Sequence, residues 1–138
     1  MKRLTLLASM LIMVTYFVQA QDSNYKVVFD MTSKDTMNQQ TLIRQVGLIK
    51  KANPDAKLEV VVYGQGLDIV VKGKTKQEQA ITQLLADKSI SVKVCAMTMQ
   101  RNNVDKTQLI AGVETVPDGI YEIVTKQQEG WGYIKIAH

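Results

Sequence analysis

Lys26-Val27-Val28-Phe29-Asp30-Met31 is a strand of the continuous apolar kind. Hydrophobicity that is continuous rather than alternating marks a strand buried on both faces, as in parallel sheets covered by helices on each side. Residues 32–38 are polar and read as a loop. From Gln39 to Ala52, Leu42, Val46 and Ile49 fall at i, i+4 and i+7, which makes one face of a helix. Asn53-Pro54 ends it, because proline disfavours the helical conformation in the residue before it. Leu58 to Tyr63 is a second apolar strand, closed by Gly64-Gln65-Gly66. Leu67 to Val71 is apolar and fits a short helix or a strand.

The same alternation continues to the end of the chain. Thr75 and Glu78 have the spacing of a capping box, opening a helix to about Asp87 with Ile81, Leu84 and Leu85 inward. Ser91-Val92-Lys93-Val94-Cys95 is a third strand, and Ala96 to Met99 leads into a polar turn at 100–103. Asp105 with Gln108 has the pattern of a cap for a short helix through Ile110. Gly112 to Val116 is a short strand stopped by Pro117. Asp118 can cap a helix carrying Ile120, Ile123 and Val124 on one side, Gly130 breaks it, and Trp131 to Ile136 is a last strand. Alternating strands and helices predict a three-layer α/β domain with a mainly parallel sheet and right-handed crossovers.

The first twenty residues read as a processing segment. Lys2 and Arg3 precede an uncharged apolar run from Leu4 to Val18, and Val18-Gln19-Ala20 places small residues before a cut at Gln21. That is the pattern of a secretory signal peptide, and it predicts a periplasmic or secreted protein with no membrane association after cleavage. The run is shorter than the roughly 20 apolar residues of a comfortable membrane span, so an uncleaved anchor is the lesser reading. Residues 21–138 then form one domain. Without Lys2 and Arg3 the 17 basic residues become 15 against 13 acidic, so the net charge falls from +4 to +2. Only Lys72, Lys74 and Lys76 cluster, which gives no nucleic-acid footprint.

Cys95 is the one cysteine and sits at the carboxyl end of a strand, where open α/β sheets face their ligand crevice. In an oxidising compartment it has no partner in its own chain, so it is inert and buried, reactive, or paired with another molecule. Gly64 and Gly66 allow close backbone approach after the second strand, but a dinucleotide fingerprint is absent. Cys95, Met97 and Met99 alternate, and an extended chain would align three soft sulfurs of the kind Cu(I) takes. The single histidine, His138, does not support a metal site, and the inventory predicts neither metal nor cofactor. A nucleophilic serine motif and a P-loop are also missing, which argues against ordinary hydrolysis.

Five pieces in order resemble the DsrE/DsrF-like family, which includes the YchN-like proteins. They are Tyr25–Asp30, Val60–Leu67, Val92–Thr98, Leu109–Gly119 and Lys126–Lys135, with Val116-Pro117-Asp118-Gly119 and Gln128-Glu129-Gly130-Trp131-Gly132-Tyr133-Ile134 the most specific stretches. The resemblance implies a flavodoxin-like five-stranded parallel sheet and a homo-oligomer, a trimer or hexamer. It also implies that Cys95 is the nucleophile that accepts sulfane sulfur as a persulfide from a donor protein or small molecule and passes it to an acceptor. Gly64, Gly66, Met97 and Thr98 would line its pocket. The alternative is a non-catalytic oligomer that binds a small molecule or partner in the same crevice.

Overall fold

The computed structural model describes residues 24–136. The expected signal peptide at 1–20, the cut at Gln21 and His138 lie outside the described residues. The elements are β1 (Lys26–Met31), α1 (Thr36–Ala52), β2 (Lys57–Val62), a 3₁₀ helix (Gly64–Val70), α2 (Glu78–Leu85), β3 (Ile90–Cys95), α3 (Ala96–Arg101), a 3₁₀ turn (Lys106–Gln108), β4 (Glu114–Val116), α4 (Gly119–Gln128) and β5 (Gly132–Ile136). The five strands form one sheet in the order β4-β3-β2-β1-β5, and every pairing is parallel. This is the three-layer α/β architecture expected from the alternation. Flavodoxin itself has the order 2-1-3-4-5. Here the strand order reverses between β1 and β5.

The two faces of the sheet differ in chemistry. One face carries Phe29, Met31, Leu58, Val60, Val62, Val92 and Val94, packed with Leu42 and Val46 of α1, Ile81 of α2 and Leu67, Ile69 and Val70 of the 3₁₀ helix. The other has a small apolar cluster, Val28, Val61 and Ile123 with Tyr63 and Trp131, under α4 alone. Around it stand charged residues of the strands. Glu59 is buried, and its neighbour Lys93 lies 2.9 Å from it and 2.7 Å from Glu122 of α4. Burial pushes the Glu59 carboxyl up, although hydrogen bonding to Lys93 opposes this. Glu122 is lowered, with burial opposing and the Lys93 hydrogen bond driving the shift. The ion pair therefore pins α4 across β2 and β3.

Several local expectations change in the structure. Helix α1 begins at Thr36 rather than Gln39, because Asp35 caps it by accepting from the Met37 amide at 2.6 Å. Thr75 and Glu78 do not form a capping box. Thr75 Oγ1 accepts from the Gln77 amide at 3.0 Å, while Glu78 accepts from the Gly73 amide at 2.8 Å, so both organise the preceding loop. Asp105 and Gln108 do form a reciprocal cap, around a single 3₁₀ turn. Leu67 to Val70, read as a short helix or a strand, belongs to the 3₁₀ helix, and Leu67 to Val71 is core with only Asp68 exposed. On α4, Ile123 is buried but Ile120 and Val124 face outward.

Candidate functional site

Cys95 ends β3 and is the N-cap residue of α3. Its side chain is on the α4 face of the sheet, like Lys93 two residues earlier. It is buried, at 4% relative exposure. As a neutral thiol it reaches only the Pro117 carbonyl, at 3.9 Å. As a thiolate it is far better served. Burial pushes its pKa up, but the amides of Gly119, Thr98 and Met97 and the Thr98 hydroxyl outweigh that and hold it below the ordinary thiol value.

Those donors come from two helix starts. Met97 and Thr98 lie in the first turn of α3, whose amides have no intrahelical partner. Gly119 opens α4. Asp118 caps that helix by accepting from the amides of Ile120 at 2.8 Å and Tyr121 at 3.3 Å, leaving the Gly119 amide for the sulfur. Space for a side chain is tight there. A Cβ at position 119 would stand 3.3 Å from Cys95 Cβ and 3.3 Å from both Cβ and Cδ1 of Tyr63.

The pocket residues expected from the sequence divide into two groups. Thr98 and Met97 adjoin the thiol, with Thr98 buried and Met97 exposed at the mouth. Gly64 joins through Thr98, its amide donating to Thr98 Oγ1 at 3.1 Å, and its φ of +57° is one that glycine tolerates. Gly66 packs elsewhere. A Cβ on it would lie 2.5 Å from the Met31 carbonyl oxygen, so its glycine serves the close packing of the 3₁₀ helix on the end of β1. The alternation of Cys95, Met97 and Met99 does not survive. The chain turns helical at Ala96, with Met99 buried and Met97 outward, so the three sulfurs do not line one side of an extended strand. Among the described residues no group of His, Cys, Asp and Glu is placed to hold a metal ion.

Sequence reasoning missed Tyr63, Asp30 and Tyr133. Tyr63 follows β2 and packs on Gly119 beside Cys95, its hydroxyl donating to Asp30 Oδ2 at 3.3 Å. Tyr133 of β5 donates to the same oxygen at 2.6 Å. The one available signal was the lone acid within each apolar run, Asp30 in β1 and Glu59 in β2. A cavity of about 520 Å³ lies at the other end of the strands, lined by Lys57, Leu58, Lys88, Ser89, Ser91 and Trp131, away from the thiol.

Comparison with known proteins agrees with this architecture. A protein of unknown function from Methanobacterium thermoautotrophicum, MTH1491, superposes with a TM-score of 0.77 at 27% identity, covering 81% of this chain and 99% of that one. The ychN protein of E. coli gives a TM-score of 0.68 at 14% identity, over 81% of this chain and 98% of that one. A conserved protein of unknown function from Bacteroides thetaiotaomicron, BT1422, gives 0.58 at 16% identity, over 86% of this chain and 100% of that one. No curated protein matches the sequence. The sequence pattern of the DsrE/DsrF-like family matches residues 18–136, and the chain belongs to that family.

Proposed function

We propose that this protein is a sulfur carrier that holds sulfane sulfur as a persulfide on Cys95. The observation that carries the reading is the set of donors around one sulfur, three amides and the Thr98 hydroxyl, which favour the thiolate at a buried position. The Cys95 thiolate attacks the outer sulfur of a donor persulfide, R–S–SH. The S–S bond of the donor breaks, RS⁻ leaves, and Cys95 holds –S–SH. An acceptor thiolate then attacks that outer sulfur and returns Cys95 as thiolate. No net oxidation occurs and no general base is needed, which suits a site with no histidine among the described residues.

The reading includes an oligomer, a trimer or hexamer. Ile120, Tyr121 and Val124 support it, as an exposed apolar strip on α4 next to the thiol. It also places the carrier outside the cytoplasm, on the strength of the amino-terminal residues 1–20.

Intact mass spectrometry tests the carrier chemistry. After incubation with inorganic polysulfide, the protein should gain one sulfur, about 32 Da. The gain should map to Cys95 and vanish on reduction. Cys95→Ser should abolish it while leaving the circular dichroism spectrum unchanged. A folded wild-type protein that takes up no sulfur and also resists alkylation would leave the binding-module alternative in its place.

A further inference from the structure

Asp30 is buried at 3% relative exposure, one residue from the carboxyl end of β1. It stands in register with Val61 of β2 on one side and Lys135 of β5 on the other. This is where the strand order reverses, and open α/β sheets bind ligands outside the carboxyl ends of their strands at such a point.

The hydrogen bonding of Asp30 is lopsided. Tyr133 at 2.6 Å, Tyr63 at 3.3 Å and Lys135 at 3.4 Å all reach Oδ2. Oδ1 is buried too and accepts nothing among the described residues. A buried acceptor without a donor is costly, and more so on a carboxylate. Two of the three donors bring no charge. Tyr63 and Tyr133 are pushed up to about 12, first by burial and then by the Asp30 carboxylate, so they remain neutral phenols. The one cation is Lys135, half-exposed on an edge strand and the most distant of the three. It is a loosely held ammonium on a flexible stem.

We propose that Asp30, Tyr63 and Tyr133 form a subsite for the ammonium group of a small ligand, an amine-bearing low-molecular-mass thiol or its persulfide, with Lys135 as the internal group it displaces. Strands lie roughly 4.8 Å apart, and Asp30 is level with Val61 and so with Lys93, two residues before Cys95, so strand geometry puts the carboxylate about 12 Å from Cys95. A short aminothiol persulfide held by its amine at Asp30 can direct its outer sulfur toward that thiolate. The ring of Tyr63 lies along this path. The thiol character of the ligand rests on the sulfur-carrier reading. The ammonium subsite does not.

The test uses the full chain carrying Cys95→Ser, which removes covalent reaction. It is titrated by calorimetry with 2-(methylthio)ethylamine and with its neutral counterpart 2-(methylthio)ethanol. The amine should bind about tenfold or more tightly than the alcohol, as a charge-assisted contact predicts. Adding Asp30→Asn should remove that preference. Adding Lys135→Met instead should tighten the amine, because the competing ammonium is gone. A purely structural Asp30 would not produce that opposite response. Equal binding of the two probes, binding of neither, a preference that survives Asp30→Asn, or amine affinity not raised by Lys135→Met would overturn the subsite. Should Asp30→Asn fail to fold, the Lys135→Met titration decides alone. Loading of wild-type Cys95 by inorganic polysulfide uses no amine, so its failure would count against the carrier and not against this subsite.

Discussion

A thiol that is nearly inaccessible and still held below the ordinary thiol pKa needs donors built around it, and Thr98 is the most easily varied of them. Its hydroxyl is part of a chain in which the Gly64 amide donates to Oγ1 and Oγ1 in turn serves the sulfur. Thr98→Val keeps the shape and removes the hydroxyl. The pKa of Cys95 should then rise, so less thiolate is present at any given pH. The pH profile of alkylation should shift to higher pH and the rate at pH 7 should fall, with the rate at high pH unchanged. An unmoved profile would show that the amides alone set the thiolate. At this scale Cys95 was legible in the sequence, because a lone cysteine at a strand end is conspicuous. Asp30 and Glu59 were visible only as single acids in apolar runs. What each one faces depends on β5 and α4, which are far away in the chain, and no local pattern encodes that.

Among the elements, α4 links stability to the site. Asp118 satisfies two of its amides, Lys93 with Glu122 ties it to β3, and Gly119 brings its first amide to the sulfur. Asp118→Ala should cost about 1 kcal/mol, as removal of an N-cap does, read as a lower urea midpoint with unchanged slope. It should also slow alkylation of Cys95 at neutral pH, because the start of the helix loosens over the thiol. A loss of stability with no change in thiol reactivity would separate the two roles. Element positions were mostly legible from periodicity. The misreadings had local causes. Asp35 caps a helix that starts at Thr36, three residues before the expected Gln39, and Thr75 and Glu78 spent their side chains on the loop amides of Gln77 and Gly73. Ile120 and Val124 were expected to face inward with Ile123, but the helix can turn only one edge to so narrow a cluster.

At the scale of the whole molecule, one face of the sheet is fully covered and the other is bridged by a single helix with an apolar outer surface. Ile120, Tyr121 and Val124 are 58%, 73% and 44% exposed. Native mass spectrometry of the purified protein should show a trimer or hexamer, and Tyr121→Glu should shift it toward monomer without unfolding it. A wild-type monomer at micromolar concentration would remove the oligomer from the proposal. The three-layer class was legible because continuous apolar strands alternate with helical patterns. The position of β5 was not, since periodicity identifies a strand but says nothing of its neighbour.

That position has a consequence in time. Among the described residues β1 is the first strand made and β5 the last, yet they pair along residues 27–31 and 132–136. Until β5 has been made, β1 keeps one side of its backbone open, a row of free N–H and C=O groups able to recruit a stray chain. Contacts between such distant residues also make folding slow. Each new chain therefore passes through an interval of vulnerability that only β5 can close.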